Sequence, residues 1–96
     1  MDMKKVAPKI IERDDQQCQV CGHRAIDIHH IVFKSHGGTN DERNLILLCR
    51  ACHKKAHDDE SAWRRKLIDY QKSRYGAFDE TVLKHRNKWE VSHDNR

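Results

Sequence analysis

The chain has 96 residues, which fits one domain, and its 35% charged against 36% hydrophobic residues leave little for a core, so a fold this small needs a staple. No apolar run approaches the length of a membrane span, and Met1 to Lys9 contains no apolar segment that would mark export. These features exclude a membrane protein and lead us to expect a cytoplasmic one; the formal charge of +4 favours a polyanionic partner only weakly.

In chain order, residues 4–17 read as a short helix with Val6, Ile10 and Ile11 on its apolar face, starting near Pro8, because proline suits a first turn better than an interior. Cys18 to His23 forms a knuckle in which Gly22 can take a positive φ. Ala25 to Phe33 is β-prone, with Ile26, Ile28 and His30 on one face and Asp27, His29 and Ile31 on the other. Lys34 to Arg43 is rich in turn residues and reads as a loop. Leu45 to Leu48 gives a second short strand, and the following cysteine pair opens a helix through about His57. Glu60 to Tyr75 has helical spacing in Trp63, Leu67, Ile68 and Gln71, with Gly76 as its stop. A last helix is predicted over Phe78 to Val91, capped by Asp79 and partly apolar at Val82, Leu83, Arg86 and Trp89; the final residues should fray.

The four cysteines come as two pairs, Cys18/Cys21 and Cys49/Cys52, each with two residues between. In a chain with reduced thiols such pairs read as metal ligands, and four thiolates close a tetrahedral Zn2+ site. A closed site leaves no position for substrate, so this zinc is structural. The excursion from Gly22 to Leu48 is then anchored at both ends.

Eight histidines in so short a chain are a second anomaly, because histidine is both the commonest metal ligand and the usual general base near neutral pH. His29 and His30 are adjacent at a strand end, where one side chain can reach a metal and the other a water. His53 and His57 lie four apart on the expected helix and share a face. Asn44, at the start of the second strand, can bridge the two ends of the loop with its amide.

Taken in order, Cys-Gln-Val-Cys, Ile-His-His-Ile, the Gly37-Gly38 loop, Asn44-Leu45 and Leu48-Cys49-Arg50-Ala51-Cys52-His53 resemble the HNH endonuclease family of the four-cysteine, zinc-containing type. The resemblance runs from Cys18 to His57. It implies an α+β fold: a small ββα-metal core, a two-stranded hairpin plus a helix, pinned by the four-cysteine zinc site and flanked by helices at both ends. One HNH domain would fill residues 1–96, with its core at about 18–58 and helical extensions at 4–17 and 60–91. The resemblance also implies roles. His30 matches the general base. His29 stands at a metal-ligand position where the family often has Asp. Asn44 matches the residue that braces the base-bearing loop, and His53 matches the final metal ligand. His57 matches a further histidine found in some members only.

Phosphodiester hydrolysis fits that constellation. A neutral His30 would take a proton from water, and a divalent ion on His29 and His53 (Mg2+, Mn2+, Co2+, Ni2+ or Zn2+) would neutralise charge on the phosphate. Lys34, Arg43, Arg50, Lys54 and Lys55 could clamp DNA phosphates. No base-reading signature is present, so low sequence selectivity is expected. One site per chain should nick, and double-strand cleavage would need a homodimer or two successive nicks. Two other readings stand beside this one. A non-catalytic zinc module binding nucleic acid needs the cysteines and basic residues but not the histidines and Asn44 together. A protein-interaction zinc domain needs an exposed apolar patch.

Overall fold

A computed structural model describes residues 3–85 of the chain. The architecture is α+β, as expected. Helix α1 (Met3–Arg13) precedes strand β1 (Asp27–His30); β2 (Leu45–Leu48) follows after a long loop, and then come α2 (Arg50–Asp58) and α3 (Glu60–Tyr75). Among the described residues no helix is long and apolar enough to cross a membrane.

The two strands pair antiparallel, with Asp27 opposite Leu48, Ile28 opposite Leu47, His29 opposite Ile46 and His30 opposite Leu45. All four leucine and isoleucine side chains of β2 are completely buried, so both faces of that strand are covered. Helices α1 and α2 pack on the hairpin, and α3 packs on α2. Val6 and Ile10 of α1, Leu67 and Ile68 of α3, Ala56 of α2 and Leu83 complete the core.

Helix α1 departs from expectation at both ends. It begins before Pro8, which lies inside it. A proline there costs roughly 3 kcal/mol, but Val6 and Ile10, one turn apart and each 1% exposed, together offset about that much by burial. The helix stops at Arg13 rather than Gln17, because Asp15 and Gln16 take left-handed φ values of 55° and 54°. That turn sends Asp14 inward. Its buried carboxylate accepts from the Leu47 N–H at 2.9 Å, from the Arg13 guanidinium and from Arg74 at 2.7 Å. Arg13 also donates to the carbonyls of Glu42 and Leu45, and Gln71 donates to those of Arg43 and Leu45. One polar cluster thus ties α1, β2 and α3 together and satisfies the outer edge of β2, which the Gln19 N–H completes at Leu47.

The loop between the strands is built around Asn44, which is 0% exposed. Its Oδ1 accepts from the Val32 N–H at 2.8 Å, and its Nδ2 donates to the carbonyls of Val32 at 3.2 Å and Thr39 at 2.9 Å. Gly38 passes so close to the chain that a Cβ there would lie 1.8 Å from the Val32 carbonyl oxygen. Glycine is therefore a steric requirement of the loop.

The segment after α3 also differs from the long helix expected over 78–91. Asp79 does cap, accepting from the Thr81 N–H, but only a short 3-10 turn (Glu80–Leu83) follows. The chain then runs along the loop as a bridge between Gly38 and Lys84, with the Thr39 N–H bonded to Leu83 and the His85 N–H to Gly37. Pairing with the loop uses backbone groups that a continuing helix would need for itself. Arg86, Trp89 and Val91 lie outside the described residues.

Candidate metal centre and hydrolytic site

The hairpin and α2 position two clusters. In the first, the Sγ atoms of Cys18, Cys21, Cys49 and Cys52 all lie within 4.8 Å of one another. Backbone bonds shape each half: the Gly22 N–H returns to the Cys18 carbonyl with Gly22 at φ 82°, and the His53 N–H returns to Cys49. Cys49 caps α2, its sulfur accepting from the Cys52 N–H at 3.4 Å. Burial and the neighbouring thiols push the Cys52 thiol up to about 12. Burial also raises Cys18, but the N–H groups of Cys21, Cys49 and Val20 outweigh it and draw that thiol down to about 6. The set has the chemistry of a structural zinc site: four soft thiol ligands and no carboxylate among them.

In the second cluster, the imidazoles of His29, His53 and His57 each bring a ring nitrogen within the same 4.8 Å span. His29 comes from β1 and is 2% exposed; His53 and His57 come from one face of α2. Several features fit a cation at their centre. The Nδ1 of His29 is buried without a hydrogen-bond partner. The Nε2 atoms of His53 and His57 face each other at 3.3 Å, whereas two nitrogens held by one tetrahedral ion at about 2.1 Å stand roughly 3.4 Å apart. Burial first, then the charges of His53, His57 and His30, push the His29 imidazole down to about 3, so it presents a lone pair at neutral pH. Phe33 stacks on His57 at 4.5 Å and meets His29 edge-on at 5.8 Å, closing the apolar side of the cluster.

Asp27 stands behind His53. Its Oδ2 is 3.3 Å from His53 Nδ1 and 3.0 Å from Arg50 Nε. Burial raises this carboxyl, but the bonds from His53 and Arg50 outweigh it and hold it below the ordinary carboxylate range. A carboxylate on Nδ1 leaves Nε2 with the lone pair, which is the usual arrangement behind a metal-bound histidine. The sequence reading did not single out Asp27. Its signal was present, since Asp27 lies two residues before His29 and therefore on the same strand face.

The adjacent histidines separate as strand alternation requires. His29 enters the three-histidine cluster. His30 turns away, half-buried, and its Nε2 lies 2.9 Å from Asn40 Oδ1. Asn44, at the loop ends, holds the segments on either side of that contact.

The five basic residues expected to clamp phosphates differ in their surroundings. Lys34 and Lys55 are exposed. Arg50 is exposed but paired with Asp27, and Lys54 pairs with Asp58 one turn away at 2.9 Å. Such exposed pairs are weak, about 0–1 kcal/mol, and yield readily to a phosphate. Arg43 is held more firmly: it clasps Asp41 through two bonds of 2.8 Å and lies over the Phe78 ring.

A hairpin crossed by a helix, with histidines able to hold a metal on both and a four-thiol cluster at its base, defines the ββα-metal class of fold. Residues 18–59 match the HNH endonuclease family. The chain is similar to anaredoxin of Nostoc sp., 32% identical over 59 residues that span 59% of this chain and 78% of that protein. It is also similar to the type IV methyl-directed restriction enzyme EcoKMcrA of Escherichia coli (strain K12), 27% identical over 70 residues. That match takes in 62% of this chain and only 24% of the enzyme. No solved structure matches. The chain belongs to the HNH endonuclease family.

Proposed function

We propose that the protein is a metal-dependent DNA endonuclease in which His30 is the general base and His29, His53 and His57 hold a single divalent ion. One observation carries the reading: two consecutive histidines are divided, one into a three-imidazole cluster and the other onto a separate hydrogen bond with Asn40. When bound, a divalent ion supplies charge neutralisation at the phosphate and at the departing 3′ oxygen. Three imidazoles suit Mn2+, Co2+, Ni2+ or Zn2+ better than Mg2+, which prefers oxygen ligands.

The chain's own residues account for the rest. His30 accepts a proton from water; the water oxygen bonds to phosphorus, the bond to the 3′ oxygen breaks, and that oxygen takes up a proton. Asn44 keeps the loop closed beside His30. Asp27 orients His53. Lys34, Arg50, Lys54 and Lys55 receive backbone phosphates, with Arg43 contributing less because Asp41 and Phe78 engage it. None of these contacts reads a base edge, so selectivity is low. A single centre per chain cuts one strand at a time. One of its relatives is named a type IV methyl-directed restriction enzyme, which supports DNA as the substrate here.

The test is conversion of supercoiled plasmid to open circles. Zinc-loaded protein should nick when Mn2+, Co2+ or Ni2+ is added and stop when EDTA is present. No cleavage with any of these or with Mg2+ would leave a zinc module that only binds nucleic acid.

A further inference from the structure

Resting on the nuclease reading above, the geometry points to Asn40 as the positioning residue of the reaction: its side-chain oxygen takes the Nε2 proton of His30, so that Nδ1 faces outward as the base. The contact is 2.9 Å between His30 Nε2 and Asn40 Oδ1. An amide oxygen only accepts, so the bond requires the hydrogen on Nε2 and leaves the lone pair on Nδ1. It also fixes the plane of the ring, which strand geometry alone does not. As Nδ1 takes up a proton the ring becomes cationic, and the bond to Oδ1 then strengthens as a charge-assisted one.

Both partners are held by backbone rather than by chance packing. His30 pairs with Leu45 in the sheet. Asn40 sits between two pinned neighbours. The Thr39 N–H bonds to Leu83 at 3.0 Å, its Oγ1 donates to Val82 at 2.8 Å, and its carbonyl accepts from Asn44 at 2.9 Å. Asp41 caps the following turn and its N–H bonds back to Thr39 Oγ1 at 3.3 Å. The chain after α3 therefore clasps the loop at the residue next to Asn40. The rim of the hairpin is built to aim this amide at this imidazole, ten residues earlier in the chain.

The experiment compares Asn40→Ala and Asn40→Asp with the native protein, each zinc-loaded, at saturating divalent ion. Single-turnover cleavage of a labelled duplex gives the rate, binding of the same duplex in Ca2+ gives affinity, and a long-range proton–nitrogen spectrum reports the protonated ring nitrogen of His30. Asn40→Ala should slow cleavage at least about tenfold, a part of what general-base catalysis is worth, with duplex affinity, zinc content and divalent-ion affinity unchanged. Asn40→Asp keeps an accepting oxygen and should restore the rate to within about tenfold of native. The Nε2 proton of His30 should be protected from exchange in the native protein and in Asn40→Asp, and exposed in Asn40→Ala. The inference is overturned if Asn40→Ala cleaves at the native rate, if Asn40→Asp is as slow as Asn40→Ala, if His30 carries its proton on Nδ1, or if Asn40→Ala loses zinc or the divalent ion, which would make Asn40 a folding residue. Should the native protein itself not cleave, the nuclease reading fails and this inference with it. If the native protein cleaves, His30→Ala does not and Asn40→Ala does, only the role of Asn40 is wrong.

Discussion

At the residue scale the proposed mechanism divides labour between neighbours. His29 is buried with an unpartnered Nδ1, His53 has a carboxylate behind it, and His30 has an amide behind it. Each imidazole thus presents one defined nitrogen, which a general base and a metal ligand both need. Asp27 makes this testable away from the chemistry. Asp27→Ala should weaken divalent-ion affinity by about 10–100-fold, the usual cost of losing the carboxylate behind a ligating histidine, while one zinc per chain is retained. Calorimetric titration with Mn2+ or Co2+ reads it directly, and an unchanged dissociation constant would remove Asp27 from the site. Legibility was good here for side chains that announce their chemistry. The cysteine pairs, both histidine pairs and Asn44 stand out by type and spacing. Asp27 was readable by strand alternation. Asn40 was not, because an asparagine among glycines and Asp41 in a loop looks like any turn residue; only the path of the closed loop brings it to His30.

At the element scale, legibility followed how local each cause was. The strand Leu45–Leu48, helix Arg50–Asp58 and helix Glu60–Tyr75 follow from apolar pattern and caps within their own sequence, and they form where expected. Where tertiary contacts decide, pattern reading fell short. Helix α1 runs through Pro8 because Val6 and Ile10 are buried, and it ends early because Asp14 is recruited by Arg13, Arg74 and the Leu47 N–H. The segment after Phe78 bonds to Gly37 and Thr39 rather than continuing as a helix. Asp14 yields a prediction at this scale. Burial raises its carboxyl, but the bonds from Arg13, Arg74 and Leu47 outweigh it and hold it below its ordinary value of 3.8. A group depressed in the folded state contributes stability that is fully present above its unfolded value and is lost only as pH falls through the lower folded one. Asp14→Asn should therefore cost at least ~2 kcal/mol, as breaking a buried ion pair does. That deficit should stay constant from about pH 8 to 5, since the whole window lies above the unfolded value. Urea unfolding of zinc-loaded protein across that range checks it; a deficit that shrinks within the window would mean that another group carries the effect.

At the scale of the whole molecule, the proposed function gives two metals different work on one small scaffold. The thiol cluster joins the chain before β1 to the start of α2, so it closes the excursion that carries the hairpin; of the histidine cluster, His29 lies on that excursion, and His53 and His57 follow it on α2. Zinc binding would then be largely folding free energy, on the order of 10 kcal/mol for structural sites, whereas the proposed catalytic ion should leave without unfolding the chain. Mild EDTA treatment should abolish cleavage and leave the circular dichroism spectrum and one zinc per chain intact. Cys49→Ser should unfold the protein, because it removes one of the four thiolates that would hold the zinc. Zinc lost in step with activity under mild chelation would contradict the separation of the two sites.

The most direct test of the central claim is the dependence of plasmid nicking on divalent-ion concentration for the native protein, His29→Ala, His53→Ala and His30→Ala, with zinc content measured alongside. The account predicts that His29→Ala and His53→Ala shift the curve to higher ion concentration and recover part of their rate at saturation. His30→Ala should bind the ion as the native protein does and remain about 10²–10⁴-fold slower at every concentration. Rescue of His30→Ala by added ion, with His29→Ala inactive throughout, would reverse the two roles, and full activity in both would contradict the assignment altogether.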